Sequence, residues 1–337
     1  MFSFAPRGDL SRGIMDTLAA GHVDERIGLR TQEALSRARD VVHDDDVQLA
    51  LFLLYGIAYG SFGTVGADLE WDPALIGVRA RLEAAFEAEL RDRVEVPPLP
   101  DPLTARTIAD ALFRMTAPRP GPGLARDVEK TATREQAQEI LILRSIYTLR
   151  EADPHSWAIP RLTGRPKAAL VEIQSDEYGG GRPDRMHAVM FADAMRGAGL
   201  DDRYAHYVDR VPAVTLAAQN LMSMLGMNRR LLGAVVGHLA AFEMTSSLPN
   251  RRYADGLRRL GFDETVTAYF DEHVEADAVH EQIAGHDLAG GLVEQQPDLG
   301  SEVLFGAAAG LLMDDLVADH VRAAWSAGRS ALRDTDA

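Results

Sequence analysis

The chain contains no cysteine in 337 residues. Disulfides, thiolate zinc sites, iron–sulfur clusters and cysteine nucleophiles are therefore excluded together. Any bound metal must be held by His, Asp and Glu, a donor set that suits iron or manganese better than structural zinc. Basic residues are also scarce, with 35 Lys and Arg against 51 Asp and Glu and a formal charge of −16. With no dense Lys/Arg stripe, this argues against nucleic acid or an anionic membrane as the main partner. Long apolar runs are missing too. The opening MFSFAPRGDLSRG lacks the apolar core of a signal peptide. The most apolar late stretch, Val303 to Val317, is broken by Asp314 and Asp315. The expectation is a cytoplasmic protein with neither membrane nor nucleic acid as partner.

What is present is an ordinary globular composition, 46% hydrophobic and 26% charged. The length allows one large or two ordinary domains with a substantial core. Helical periodicity runs through the chain and no stretch alternates like a strand, so the fold class is all-α. Helices are expected at about 44–60, 72–94 and 104–115, then from a Thr133/Gln136 capping box to about 152. Others follow at about 165–178, 183–197, 202–225, 228–246, 250–260, 263–284 and 300–327. Residues 1–40 read as an N-terminal helical extension. Residues 41–330 read as a single helical-bundle domain carrying a surface loop, TAPRPGPG, at 116–123.

Three segments carry chemistry. In FDEHVEADAVHEQ, spacings of four and three put His273, Asp277 and His280 on one helix face, within about 60° of arc. Two imidazoles flanking a carboxylate could ligate metal from that stripe, or form a polar surface face with chance histidines. In VEIQSDEYGGGRPDRMH, Glu177 ends one helix, three glycines turn the chain, and His187 falls one turn into the next. A phosphate cradle at Gly179–Gly181 lacks its preceding strand and its lysine; the glycines instead let two helices approach closely. Glu172 and Asp176 are read as solvated or as neighbours of a ligand, and Tyr178 as such a neighbour at best. Glu243 lies in LLGAVVGHLAAFEMTSS, a stretch so apolar that a buried carboxylate would need a positive partner, unless it reaches solvent at a helix end. Glu151 alone reads as a surface glutamate. Met222, Met224 and Met227 could line an adaptable pocket but read more simply as core.

Taken together, the pattern resembles the haem-oxygenase-like diiron oxidases and oxygenases, the iron-containing redox enzymes. In that family successive bundle helices supply a Glu, then a Glu and a His ten residues apart, then a His-x3-Asp-x2-His helix. This sequence presents Glu151, Glu177, His187, His273, Asp277 and His280 in that order and spacing. The resemblance covers roughly residues 130–325, with the earlier helices as additions to a haem-oxygenase-like bundle. Members resembling N-oxygenases carry one more carboxylate ligand about thirty residues before the first histidine of the triplet, and Glu243 stands at that distance from His273.

The resemblance implies seven metal ligands, Glu151, Glu177, His187, Glu243, His273, Asp277 and His280. It implies two iron ions cycling between Fe(II) and Fe(III), and O2 as co-substrate. Four carboxylates would balance two Fe(II) ions, and without metal some would take up protons. The implied reaction passes through a peroxo-diiron(III) species and N-oxygenates an amine or amino-acid-like small molecule. The alternative is C–C or C–H cleavage of a fatty-acid or amino-acid substrate at the same site. A ferritin-like iron store is the non-enzymatic alternative, and a haem oxygenase fits poorly because it needs a single proximal histidine. Small-molecule substrate, external electron donor and homodimeric assembly complete the expectation.

Overall fold

In the computed structural model, the structure describes residues 4–63, 66–119 and 121–334, with the side chains of 275–278 excepted. It is all-helical, with no strand among the described residues. The chain divides into two compact units. One comprises residues 1–93, 204–221 and 332–337; the other comprises 94–203 and 222–331. The N-terminal segment expected as an extension up to residue 40 thus belongs to a unit whose first stretch reaches Arg93.

The first unit holds α1 (Asp9–Ala20), α2 (Ile27–Arg37), α3 (Asp45–Ala58) and α4 (Pro73–Arg93). Asp44 caps α3 by accepting from the amides of Asp46 and Val47. The Arg7 side chain is almost fully buried and bridges Asp45 at 2.7 Å and the Val211 carbonyl at 2.7 Å. Inside, the Asn220 amide donates to the carbonyl and the side chain of Gln48, both at 2.8 Å.

The second unit carries the motif segments. α5 (Ala105–Thr116) and α6 (Leu124–Lys130) precede α7 (Arg134–Thr148), which opens on the expected capping box. Thr133 accepts from the Gln136 amide at 3.2 Å, and the Gln136 side chain accepts from the Thr133 amide at 2.9 Å. α7 ends at Thr148, earlier than its pattern predicts, and a separate short helix, α8 (Asp153–Ser156), follows with Pro154 in its first turn, where the missing N–H would have had no partner. After α9 (Gly164–Glu177) and α10 (His187–Gly197), α11 (Ala213–Met227), whose residues up to Leu221 are assigned to the first unit, begins eleven residues later than the expected 202. Met222 and Met224 on α11 are buried, as core packing requires.

The two helices expected at 228–246 and 250–260 are one, α12 (Leu232–Arg259), with Pro249 inside it. An interior proline costs about 3 kcal/mol and removes one backbone bond. Burial on both sides of it outweighs that cost, through Leu239, Ala240 and Ala241 before and Tyr253, Ala254 and Leu257 after. The segment 229–259 is long and apolar enough to cross a membrane, yet 67% of its apolar window is buried within the protein, as in a core helix. α12 packs on α13 (Glu264–Gln282) and α15 (Gly300–Ser326). It meets α15 at bare backbone: a Cβ on Gly237 would sit 1.8 Å from the Val303 carbonyl oxygen, and one on Gly306 1.9 Å from that of Ala234. α13 passes into a π-helical stretch, Ile283–Ala289, and then α14 (Gly290–Gln295).

Candidate metal centre

Local structure brings the motif residues together. Glu177 is the last residue of α9, and Gly179, Gly180 and Gly181 follow with φ of 71°, 58° and 82°. Only glycine adopts three successive left-handed conformations without strain. A Cβ on Gly179 would lie 2.6 Å from the Arg185 carbonyl carbon, so the chain folds tightly back onto the start of α10. His187 is the first residue of α10, not one turn inside it, because Met186 is still extended. The turn thus returns His187 Nδ1 to 3.0 Å from Glu177 Oε2.

Two groups of ligand atoms result. Glu151, Glu177, His187 and His273 offer one atom each within 4.8 Å of one another, and Glu177, Glu243 and His280 do the same. Glu177 belongs to both. All six residues are buried, none more than 7% exposed. Glu151 lies in the turn after α7, Glu243 is enclosed on α12, and His273 and His280 share a face of α13. The side chain of Asp277, between them in sequence, lies outside the described residues.

The imidazoles are aimed. His273 Nδ1 donates to the Tyr269 carbonyl at 2.8 Å, which fixes the proton there and turns the Nε2 lone pair toward Glu151, 3.8 Å away. His280 Nε2 meets Asp176 at 3.0 Å, leaving Nδ1 3.4 Å from Glu243. Asp176 itself is 60% exposed, so it orients His280 from the surface. Tyr269 donates its hydroxyl to both oxygens of Glu151, at 2.7 and 3.0 Å. Tyr178, expected beside a ligand, instead donates to Asp153 and meets Ser156. Glu172 is exposed.

Electrostatics without metal are frustrated. Burial, then Glu177, push the Glu151 carboxyl up to about 8. Burial also raises Glu243. For Glu177 burial is outweighed by His187 and then His273 and His280, and its carboxyl is held below the usual range. Burial likewise opposes protonation of His187, but Glu177 and Glu151 push it up to about 9; Glu243 does the same for His280, also to about 9. His273, buried and beside His187, is pushed down to about 4. Glu177 Oε2 and His187 Nδ1 are buried and meet as an ion pair at 3.0 Å, and His273 Nε2 is buried and makes no hydrogen bond. An atom so left is costly unless something else fills its lone pair. A cation held by nitrogen and oxygen donors does so, and iron fits this set.

Sequence reasoning missed Tyr269, although its place four residues before His273 puts it on the same helix face. It also assigned nothing to His155 and His238. Both are buried, with His155 Nε2 3.1 Å from His238 Nδ1, and burial pushes them down to about 4 and about 3.

Comparison with known proteins agrees with this geometry. Residues 138–315 match the sequence profile of a family described as iron-containing redox enzymes. The chain is also 30% identical over 170 residues to the nitrosourea synthase of Streptomyces achromogenes subsp. streptozoticus. That match covers 50% of this chain and 36% of the relative.

Proposed function

The chain belongs to the family of iron-containing redox enzymes, with its haem-oxygenase-like all-helical fold, and from that premise we propose that it is a non-haem diiron oxygenase that N-oxygenates an amine or amino-acid-like small molecule. The observation that carries the two-iron reading is Glu177. It is common to a four-residue and a three-residue group, so it could serve as a ligand on both sides if two ions were held there. Glu151, His187 and His273 would complete one side and Glu243 and His280 the other, with Asp277 proposed from its spacing. The presence of buried Glu243 beside His280 supports N-oxygenation, because that position is the one that resembles the extra ligand of N-oxygenases. The relative's name, nitrosourea synthase, supports nitrogen chemistry as well.

Bound iron would supply electrons and Lewis acidity for O2 chemistry. The protein's part is legible residue by residue. Tyr269 fixes the Glu151 carboxylate through both oxygens, and the Tyr269 carbonyl and Asp176 fix the tautomers of His273 and His280. At pH 7 Glu151, His187 and His280 hold protons that must leave when their lone pairs turn to metal. The closed helical packing keeps bulk water from a site whose six described residues are all buried. The net reaction converts N–H to N–OH while the second oxygen atom leaves as water, so an external donor must supply two electrons.

The test is turnover of the iron-loaded protein with a chemical reductant, 18O2 and a panel of primary amines and amino acids, read by mass spectrometry. One labelled oxygen on a substrate nitrogen is expected. Label incorporated only on carbon, or chain-shortened products, would overturn N-oxygenation in favour of C–H or C–C cleavage. Loading far beyond about two irons per chain, with no product, would favour storage.

A further inference from the structure

Tyr147, Tyr253 and Tyr269 belong to one aromatic cluster beside the ligands, and their hydroxyls meet different partners. The Tyr269 hydroxyl donates to both oxygens of Glu151, at 2.7 and 3.0 Å. Its ring centre is 4.3 Å from that of His273, one turn further along α13. The side chain is fully buried, walled by Phe191 and Phe270, each with its ring centre 5.1 Å away. Phe270 leads on to Tyr253, with 5.9 Å between ring centres. There the company changes. Tyr253 hydrogen-bonds Arg144, whose guanidinium carbon is 5.4 Å from the ring centres of both Tyr253 and Tyr147.

This difference decides where one-electron chemistry can go. A phenol that loses an electron becomes strongly acidic, and a radical cation in a closed core would be a charge without a partner. Oxidation is practical only where the proton finds an acceptor within hydrogen-bond reach. A guanidinium carries donors only and keeps its charge, so Arg144 takes no proton from Tyr253. Tyr269 has its acceptor in Glu151, which is also a proposed metal ligand. Two other tyrosines donate to a carboxylate, Tyr55 to Glu83 at 3.0 Å and Tyr178 to Asp153 at 2.9 Å. Neither acceptor belongs to a ligand group among the described residues. Only at Tyr269 do proton acceptor and metal site coincide.

Resting on the reading of this site as a redox-active iron centre, we propose that Tyr269 is itself redox-active, oxidised to a neutral phenoxyl radical when O2 reacts and no substrate is bound. The Tyr269 O–H bond breaks, and its proton passes to Glu151 Oε2 along the 2.7 Å hydrogen bond. Its electron passes to the O2-oxidised iron, which is reduced by one unit. Phe191 and Phe270 keep solvent from the radical, and Arg144 leaves Tyr253 without a proton acceptor, so the radical stays on Tyr269. The oxidising equivalent is then held on one shielded ring instead of on the ligands.

The experiment is freeze-quench electron paramagnetic resonance of the Fe(II)-loaded chain mixed with O2 in the absence of substrate. An organic radical is expected, with a spectrum that narrows when the tyrosines are ring-deuterated. Fluorotyrosine placed at position 269 alone keeps the hydroxyl and its hydrogen bonds, and should add a fluorine splitting. The signal should be lost in Tyr269→Phe loaded to the parent's iron content, and kept in Tyr55→Phe and Tyr253→Phe. A spectrum unchanged by fluorotyrosine at position 269, or a signal that survives Tyr269→Phe, overturns the proposal. So does the absence of any radical when about two irons per chain are loaded and oxidised by O2, a result that spares the metal centre. A chain that takes up no iron overturns the metal-centre reading, and this inference with it.

Discussion

Two groups of buried histidines stand close in this bundle and differ in their company. His187, His273 and His280 lie among the carboxylates of Glu151, Glu177 and Glu243. Within that group His187 Nδ1 meets Glu177 at 3.0 Å and His273 Nε2 makes no hydrogen bond. His155 and His238 satisfy one another at 3.1 Å and pack against Phe242, with ring centres 6.4 and 6.3 Å away. Burial alone does not make a metal site. A lone pair left open among buried carboxylates marks a candidate one, because a bound cation would resolve both the repulsion and the missing bond. The histidine pair is a finished piece of core.

That contrast can be broken by substitution. Glu177→Ala removes the one ligand common to both groups and should reduce bound iron from about two per chain to well below one, measured by metal analysis after anaerobic loading. Loss of a single ion with the other held tightly would mean that Glu177 serves one side only. Glu243→Ala should leave some iron bound and abolish N-oxygenation; unchanged turnover would end its assignment as a ligand. Tyr269→Phe takes the hydroxyl from Glu151 and should weaken iron binding roughly tenfold without unfolding the protein. His238→Ala should leave iron content unchanged while costing about 1–3 kcal/mol in denaturant unfolding, since it strands the His155 ring.

The smallest effect is the most diagnostic, because His187, His280 and Glu151 respond to pH with the opposite sign to His155 and His238. Burial pushes His155 and His238 down to about 4 and about 3, below the ordinary imidazole value of an unfolded chain. Between these values and about 6.5 the unfolded chain binds more protons, so stability falls as pH drops through that window. His187 and His280, at about 9, bind more protons when folded, and so does Glu151 at about 8. Through these groups the metal-free protein should lose stability as pH rises, from about 4.5 to about 8 through Glu151 and from about 6.5 to about 9 through the two histidines. Iron loading should erase the alkaline loss, because those protons have already left, and should spare the acid-side loss. Thermal unfolding across pH, with and without Fe(II), reads both limbs; an alkaline limb that survives loading would contradict the ligand assignment.

Much of this was legible in the sequence, for physical reasons that differ by residue. The α13 stripe follows from helical period, and the Thr133–Gln136 box and the glycine turn are local chemistry. Glu177 and His187 are ten residues apart, so a turn suffices to join them. Glu151 was ordinary by itself, since its burial depends on Tyr269, 118 residues away. The continuity of α12 through Pro249 was hidden because packing, not propensity, decides it. The histidine pair was invisible for the same reason: its meaning lies in the meeting of His155 on α8 with His238 on α12, which no local spacing reports.

The most direct test of the central claim is anomalous diffraction at the iron edge from crystals grown anaerobically with Fe(II). Two peaks about 4 Å apart or less, with Glu177 touching both, are what the account predicts. A single peak, or two peaks of which Glu177 touches only one, would contradict it.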